Sequence, residues 1–278
     1  MSRRAIGIAN RYLAAAELLL PGRITGFWLV GSAALGGWRP GRSDTDFIAA
    51  TDGPLDARDL RRLRALHVAG NAVPAGSALL RARPTVPGTV NGAYVDAADL
   101  TAPVTRIRPL ASHVGRTFRP GHGSDVNPAV WKVLAERGIT LRGRAPYLLG
   151  LDPEPERLRS WTLTNLREHW GAWARRALDG RAPATPSLLR AEITTGTLGP
   201  LRLHRTVATG EIVTKEAGGR HGLDLFPPHR RALIHAALAH RDGGTPPASA
   251  RLLRLAGEFA REVVADAERI AAEDGARD

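Results

Sequence analysis

The sequence predicts an α/β domain over residues 1–150 followed by an all-α domain over residues 151–278. In the first half, short β-prone runs such as Ile24–Val30 alternate with helical segments that carry an apolar stripe. In the second half, helical segments follow one another with only short Gly or Pro breaks. A chain of 278 residues is long enough to bury a core in each of two domains.

The composition excludes several classes of site. The sequence has no cysteine, which excludes disulfides, thiolate zinc sites and cysteine nucleophiles. No apolar run approaches the length of a transmembrane helix, and Asn10, Arg11 and Glu17 interrupt the first apolar stretch, which suits an amphipathic helix better than a signal peptide. We therefore expect a soluble cytoplasmic protein that makes no membrane contact, with a monomer favoured.

The net charge of +12 raises the alternative of a nucleic-acid-binding protein. Lys132 and Lys215 are the only lysines among 39 basic residues, and the arginines are scattered along the chain rather than clustered. Aromatic residues make up 5% of the chain, so no stacking platform for single strands is evident. The scattered arginines and the few aromatic residues argue against direct nucleic-acid binding. A nucleic-acid-binding protein would show an affinity that falls steeply with salt concentration. The net positive charge would also attract a polyanionic nucleotide.

Apolar periodicity and Gly or Pro breaks place the individual elements. In the first half, helices are predicted over Ser2–Leu20, Leu55–His67 and Pro128–Arg137, and strands over Ile24–Val30, Ser43–Ala50, Ser77–Arg81, Thr89–Val95 and Ile139–Gly143. A long loop is predicted over Ala97–Asn127. In the second half, helices are predicted over Glu156–Leu178, Ser187–Thr209, Thr214–Leu223, His229–His240 and Ala248–Ala272.

The segment between the first two strands carries the most informative motif. Gly31 and Ser32 lie where the first strand meets a short helix, and free backbone N–H groups together with the Ser32 hydroxyl suit phosphate oxygens there. The second strand opens with Ser43, Asp44 and, two residues later, Asp46, and the period of two in a strand puts both carboxylates on one face. Adjacent carboxylates repel unless a cation lies between them, and Mg²⁺ prefers a few carboxylates plus substrate phosphate oxygens. A two-metal arrangement would activate an attacking hydroxyl and stabilise a pyrophosphate leaving group.

The segment contains, in order, Gly-Ser, a short helix, a Gly-rich loop and Ser-Asp-x-Asp. This order resembles the DNA polymerase β-type nucleotidyltransferase superfamily. Within that superfamily, it resembles the aminoglycoside adenylyltransferases that modify streptomycin and spectinomycin. A second stretch runs from Arg202 through Gly210-Glu-Ile-Val-Thr to Lys215, and reads as a helix that ends at Gly210 and a new helix capped by Thr214. It resembles the "Arg, seven residues, Gly-Glu-Ile-x-x-Lys" stretch of the same enzymes. The resemblance follows the order of elements over most of the chain and is dense at residues 29–48 and 198–216.

The resemblance implies a mixed sheet with flanking helices in the first domain, and Mg²⁺-dependent transfer of AMP from ATP to a hydroxyl of a cationic aminoglycoside or aminocyclitol. The roles it implies are magnesium binding by Asp44 and Asp46, phosphate positioning by Gly31, Ser32 and Ser43, and neutralisation of the triphosphate across an interdomain cleft by Arg202 and Lys215. Arg202 would act as a bidentate fork and Lys215 as a point charge.

Binding a cationic acceptor requires local carboxylates in a protein of this charge. Glu192 lies ten residues before Arg202 on the same predicted helix, where the resemblance places an acidic substrate contact. A solvated helix face explains Glu192 equally well, so both interpretations stay open.

The sequence differs from the resembled family mainly at the position of the general base. Enzymes of this family use a third carboxylate, on a later strand, to take the proton from the acceptor hydroxyl. The matching position here holds Asn91, whose amide cannot accept that proton, and Asp96 is the nearest alternative, with Asp99 further off. Alternation puts Asn91 and Asp96 on opposite faces of a regular strand, so Asp96 would need a bulge or a strand end to serve. A nucleotide-binding sensor or regulatory module with weak or lost catalysis is therefore the alternative hypothesis.

Overall fold

The computed structural model describes residues 3–80, 89–115, 117–180 and 185–275. These residues form two compact units, of which the first runs to Glu156 and the second begins at Arg157. The division into domains at residues 150 and 151 stays a prediction. No helix in the described ranges is long and apolar enough to cross a membrane.

The first unit contains strands and helices in alternation. Its helices are α1 (Arg3–Leu19), α2 (Gly31–Ala34), α3 (Ala57–Leu80) and α4 (Pro128–Arg137), and its strands are β1 (Ile24–Leu29), β2 (Thr45–Thr51), β3 (Val90–Asp96), β4 (Ala111–Val114), β5 (Thr117–Pro120) and β6 (Ile139–Arg142). Short 3₁₀ turns cover Ala97–Asp99, Val104–Arg106 and Pro146–Leu148. The strands form one sheet in the order β5-β4-β3-β2-β1-β6. Strands β2 and β3 run parallel and every other neighbouring pair is antiparallel, so the sheet is mixed.

Aromatic packing fixes which face of the sheet is buried under α1. Phe27 of β1 and Phe47 of β2 stack with ring centroids 4.5 Å apart, and Tyr12 of α1 lies 5.3 Å from Phe47. All three side chains are buried. Because successive side chains of a strand point to opposite faces, the burial of Phe47 against α1 turns Asp46 to the other face of the sheet.

Two sequence predictions in this unit are wrong. The predicted strand Ser77–Arg81 belongs to α3 as far as Leu80, and Arg81 lies outside the described residues. A short apolar run fits a strand and a buried helix equally well, and here helix propagation from the preceding Ala-rich segment prevails. The predicted loop Ala97–Asn127 contains β4, which pairs with β3, and β5, which pairs with β4. The pairing of β4 with β3 is a long-range interaction without a local signal.

The second unit is entirely helical in its described part. It contains most of α5 (Pro155–Asn165), a π-helical turn (Leu166–Trp170), α6 (Gly171–Leu178), α7 (Pro186–Thr209), α8 (Lys215–Leu225), α9 (Pro228–Arg241) and α10 (Ala250–Gly275). Helix α7 packs against α8, α9 and α10 around a common apolar core. The predicted fold class, an α/β N-terminal part with a mixed sheet and a helical C-terminal part, is confirmed.

Glycines on α7 create room for the tryptophans of the preceding helices. A Cβ on Gly196 would lie 1.8 Å from the ring of Trp173, and a Cβ on Gly199 would lie 2.1 Å from the ring of Trp170. Both indoles are buried and form an edge-on pair. The close contact between the indoles and the α7 backbone therefore depends on the absence of side chains at these two positions.

Candidate active site

Two carboxylates of β2 lie beside two polar side chains of β3. In the parallel ladder Asp46 is the register partner of Asn91, and the ladder continues backwards through a bond of 2.9 Å from Thr45 N to Thr89 O. The hydroxyl of Thr89 donates to Asp44 Oδ1 over 2.8 Å. Asp44, Asp46, Thr89 and Asn91 thus share one corner of the sheet, which we call the β2–β3 site. The residues of each strand are two apart, so they share a face.

Gly31 closes the β2–β3 site from the side of β1. Its φ of +56° is a left-handed conformation that glycine adopts without strain. A Cβ at this position would lie 2.4 Å from Asp46 Oδ2, and Val30 N donates to Asp46 O over 2.9 Å. The turn from β1 into α2 therefore approaches the Asp46 carboxylate so closely that a Cβ at position 31 would require this carboxylate to shift.

Of the two candidate serines, Ser32 lies in α2 and Ser43 lies in the connection between α2 and β2. Ser43 is buried, its Oγ accepts from Arg39 N over 3.0 Å, and its own N–H donates to Arg39 O. These bonds close the Gly-rich loop directly before Asp44. Ser32 is half-buried, and its carbonyl accepts from Gly37 N over 2.9 Å. The Ser43 hydroxyl thus shapes the loop, and phosphate binding by either serine stays a prediction.

The structure does not bring Asp96 to the β2–β3 site. Asp96 pairs with Thr51 at the opposite end of β2, five residues beyond the Asp46–Asn91 pair, and a strand rises about 3.3 Å per residue. Its Oδ1 accepts from Ala98 N over 3.0 Å and caps the following 3₁₀ turn. Asp96 therefore lies at a strand end, but this is the end of β3 that is far from Asp46. In its place the site holds Asn91, whose Oδ1 accepts from Gly115 N over 2.9 Å.

Arg202 and Lys215 lie near the crossing of α7 and α8. A Cβ on Gly218 would lie 2.7 Å from Arg202 N, so the two helices meet backbone to backbone at this point. Lys215 is one turn before Gly218 on α8 and therefore on the same side of that helix. Thr214 caps the helix by accepting from Ala217 N over 3.1 Å.

A buried ion pair follows Lys215 directly. Glu216 and Arg241 are both buried and lie 2.9 Å apart. Burial alone would raise the pKa of Glu216, but a backbone N–H and the Arg241 guanidinium stabilise the carboxylate and lower that pKa below its usual value. The pair anchors the start of α8, next to Lys215, on α9.

Glu192 is not a freely solvated helix residue. It is half-buried, and its Oε1 accepts from Trp173 Nε1 over 2.7 Å. The indole of Trp173 also lies across Gly196, one turn further along α7. The hydrogen bond orients the carboxylate, while the function of Glu192 as a substrate contact stays a prediction.

Sequence reasoning missed three residues that act on the predicted ones: Thr89, Gly115 and Trp173. Thr89 precedes β3 by one residue, but the register of a parallel strand pair has no local signal. Gly115 follows β4, which lies in the segment that the sequence predicts as a loop. Trp173 lies three residues after the π-helical turn and nineteen residues before Glu192, and no local sequence pattern indicates a bond over that separation.

The donor set of the β2–β3 site fits a magnesium ion. Mg²⁺ is commonly held by one or two carboxylates together with phosphate oxygens of the substrate, and Asp44 and Asp46 supply two hard oxygen donors on one face. Over the described ranges no group of three or more His, Cys, Asp or Glu side chains could hold a metal ion.

Comparison with known proteins identifies the fold. No protein-family model matches the chain, and no curated protein matches it significantly. A spectinomycin adenyltransferase, AAD(9) from Enterococcus faecialis, crystallised with ATP and spectinomycin, is structurally similar with a TM-score of 0.68. The match covers 95% of this chain and 99% of the enzyme at 14% sequence identity. The chain therefore has the fold of this nucleotidyltransferase.

Proposed function

We propose that the protein transfers AMP from ATP to a hydroxyl of an aminoglycoside or aminocyclitol, with Mg²⁺ as the metal. The observation that carries the proposal is the β2–β3 site, where Asp44 and Asp46 share a face and Gly31 leaves room for the Asp46 carboxylate. Its support from outside the chain is the shared fold with an enzyme crystallised with ATP and spectinomycin.

Each candidate residue has a defined part in the proposal. Asp44 and Asp46 hold the cation, which neutralises phosphate charge when it is bound. The backbone at Gly31 and the hydroxyls of Ser32 and Ser43 position phosphate oxygens. On the helical unit, Arg202 and Lys215 are assigned to the triphosphate, because a guanidinium fork and an ammonium group are the usual ligands of such oxygens.

The reaction that fits these groups is a single displacement at phosphorus. The acceptor hydroxyl oxygen forms a bond to the α-phosphorus of ATP, and the bond from that phosphorus to the bridging oxygen breaks, so that pyrophosphate leaves. The hydroxyl proton passes to solvent, because the amide of Asn91 does not accept it. A slow reaction is expected, since general-base catalysis commonly contributes about 100-fold or more.

Glu192 is the proposed contact for an ammonium group of the acceptor. Its second oxygen, Oε2, is not the one bonded to Trp173, and the hydrogen bond holds the carboxylate in one orientation. A half-buried carboxylate interacts with a cation more strongly than an exposed one does. This assignment limits the acceptor class to amine-bearing compounds.

The direct test is Mg²⁺-dependent release of pyrophosphate from ATP in the presence of streptomycin or spectinomycin. Asp46→Asn should lower the rate by at least about 100-fold, because loss of a cation ligand removes several kcal/mol of charge stabilisation. Asp52→Asn is the matched control: it is an exposed aspartate just after the other end of β2. Unchanged activity in Asp46→Asn would contradict the assigned mechanism.

Asn91 favours a second candidate, a nucleotide-binding sensor or regulatory module without turnover. Its amide stands beside Asp46, where it cannot act as a base. Calorimetry that shows tight ATP binding without pyrophosphate release on a broad aminoglycoside panel would support this second function. Turnover of any acceptor on the panel would exclude it.

A further inference from the structure

Helix α8 lies wholly within the described part of the chain and buries no large apolar side chain there. Its buried residues are one carboxylate and three glycines: Glu216, Gly218, Gly219 and Gly222. A Cβ on Gly222 would lie 2.6 Å from Leu201 of α7, so the backbones approach closely. Leu223 contacts the apolar core but is only partly buried. Apolar packing without interlocked side chains therefore gives α8 a weak hold on its neighbours.

A chain of hydrogen-bonded side chains ties α8 to α7 and α10. His204 of α7 is fully buried. Its Nε2 lies 2.8 Å from Asp266 Oδ2 on α10, and its Nδ1 lies 3.0 Å from Nε2 of His221 on α8. The other oxygen of Asp266, Oδ1, accepts from Arg269 Nη2 over 2.6 Å. Both nitrogens of His204 and both oxygens of Asp266 are thus bonded.

The charge of Asp266 sets the direction of these bonds. Burial alone would raise its pKa, but the bonds from Arg269 and His204 stabilise the carboxylate and lower that pKa below its usual value. Burial lowers the pKa of His204, so this imidazole is neutral near pH 7. An ionised carboxylate only accepts, so His204 carries its proton on Nε2 and presents a lone pair at Nδ1. His221 therefore donates from Nε2 to His204.

The other buried polar contact of α8 lies in its first turn. Arg241 of α9 donates from Nε to Glu216 Oε1 over 2.9 Å. Glu216 and His221 are five residues apart, which separates them by about 7.5 Å along the helix axis and about 140° around it. Contacts at different heights and on different faces fix both the translation of a helix and its rotation about its axis. The side chain of Lys215, the residue before Glu216, takes its direction from that rotation.

We propose that His221 is a positioning residue that, through His204 and Asp266, fixes the rotation of α8 and so directs Lys215 to the triphosphate. This inference rests on the proposed function, in which Lys215 binds phosphate oxygens. His221 acts through Lys215 and is assigned no contact with nucleotide or cation. His204 follows Arg202 by two residues on α7, about 200° around that helix, so their side chains leave α7 in nearly opposite directions.

The test is a double-mutant cycle on ATP affinity, measured by calorimetry with Mg²⁺ and without acceptor. His221→Leu keeps a similar bulk and removes the N–H donor, and we expect the Kd for ATP to rise by about tenfold. Lys215→Met removes the ammonium group itself. In the Lys215→Met background, His221→Leu should cause almost no further change, because the group that it positions is already absent. Additive losses would overturn the positioning role.

Two comparison variants separate the hydrogen bond from the change of side chain. Glutamine keeps an N–H donor for His204, so His221→Gln should return the Kd to within about threefold of the unsubstituted protein. His235 is an exposed histidine of α9, and His235→Leu should leave the Kd unchanged. A loss in His221→Gln as large as that in His221→Leu would contradict the role of the bond.

Hydrogen exchange without nucleotide tests the hold on α8 by itself. Backbone amides over residues 219–225 should exchange at least about threefold faster in His221→Leu, with the amides of α9 as the internal reference. Equal rates would overturn the fixing of α8. In the unsubstituted protein near pH 8, ¹⁵N spectra should show the His204 proton on Nε2. A proton on Nδ1 would reverse the chain and overturn the inference even if no variant folds.

Failure of the proposed function would give a different pattern of results. If the unsubstituted protein does not bind ATP, the proposed function and the role of Lys215 both fall, and the exchange rates still show whether His221 fixes α8. If ATP binds and the cycle is additive, the positioning role is lost, while AMP transfer through Asp44 and Asp46 stands.

Discussion

A Cβ atom on Gly31 would lie 2.4 Å from Asp46 Oδ2, so the turn after β1 and the carboxylate of β2 occupy adjoining space with no allowance for a methyl group. The approach is possible only because Gly31 combines a φ of +56° with the absence of a side chain. Gly31→Ala should therefore displace the Asp46 carboxylate and lower the rate of pyrophosphate release by at least about 100-fold.

Gly22→Ala is the matched control for Gly31→Ala. Gly22 has a φ of +71°, and a Cβ there meets no atom within 4 Å. Both substitutions carry a similar backbone strain of about 1 kcal/mol, but only Gly31→Ala produces the clash. Equal activity losses in the two variants, after correction for folded protein, would show that strain alone is responsible.

The bond from Thr89 to Asp44 is predicted to matter for cation binding. Thr89→Val keeps the shape of the side chain and removes the hydroxyl that donates to Asp44 Oδ1. We expect Mn²⁺ affinity to fall by about tenfold, since the carboxylate loses the group that orients it. Thr117→Val, at an exposed position of β5, should leave the affinity unchanged in the same calorimetric titration. An unaltered affinity in Thr89→Val would contradict the assignment.

The Trp173–Glu192 bond provides a test on the acceptor side. Trp173→Phe removes the N–H donor at 2.7 Å and frees the Glu192 carboxylate to change orientation. The KM for the acceptor should rise by about tenfold, as expected for the loss of one charge-assisted hydrogen bond, while the KM for ATP stays unchanged.

Trp170→Phe is the comparison variant for Trp173→Phe. It removes similar buried area from the same core, and Trp170 packs on Gly199 rather than beside Glu192. A rise of the acceptor KM in both variants alike would assign the effect to loss of packing.

Stability of the first unit should fall in mild acid. His113 is fully buried, and desolvation, together with the neighbouring His67, lowers its pKa well below the ordinary 6.5. Below pH 6.5 the unfolded chain binds a proton that the folded protein excludes, so stability is lost as the pH falls through that value. The slope is at most about 1.4 kcal/mol per pH unit for one such histidine.

His113→Gln tests this pH dependence. Glutamine does not titrate, and its amide can still bond to the Tyr12 hydroxyl that lies 2.8 Å from His113 Nε2. Urea midpoints measured between about pH 7.5 and about pH 5.5 should fall less steeply for the variant than for the unsubstituted protein. The remaining slope of the first unit is expected from His67, whose pKa is also lowered by burial. Parallel slopes would contradict the contribution of His113.

Local sequence patterns determined much of the fold and the first half of the site. The Pro-Gly break at Pro21, the strand before Gly31 and the alternation around Asp46 are all encoded within a few residues, because backbone conformation and side-chain direction are local properties. The helices of the second half were found for the same reason. The strand predicted at Ser77 is instead part of α3, because a short apolar run fits a strand and a buried helix equally well.

Only the tertiary structure decided which residues of other strands lie beside the locally encoded elements. The register of β3 on β2 places Asn91 beside Asp46 and sends Asp96 to the far end, and no local signal encodes the register of a parallel pair. The bonds from Thr89 to Asp44 and from Gly115 to Asn91 depend on that register. By itself, the sequence determined which carboxylates share a face. The fold decided which side chains stand beside them, because cross-strand neighbours are set by long-range packing rather than by distance along the chain.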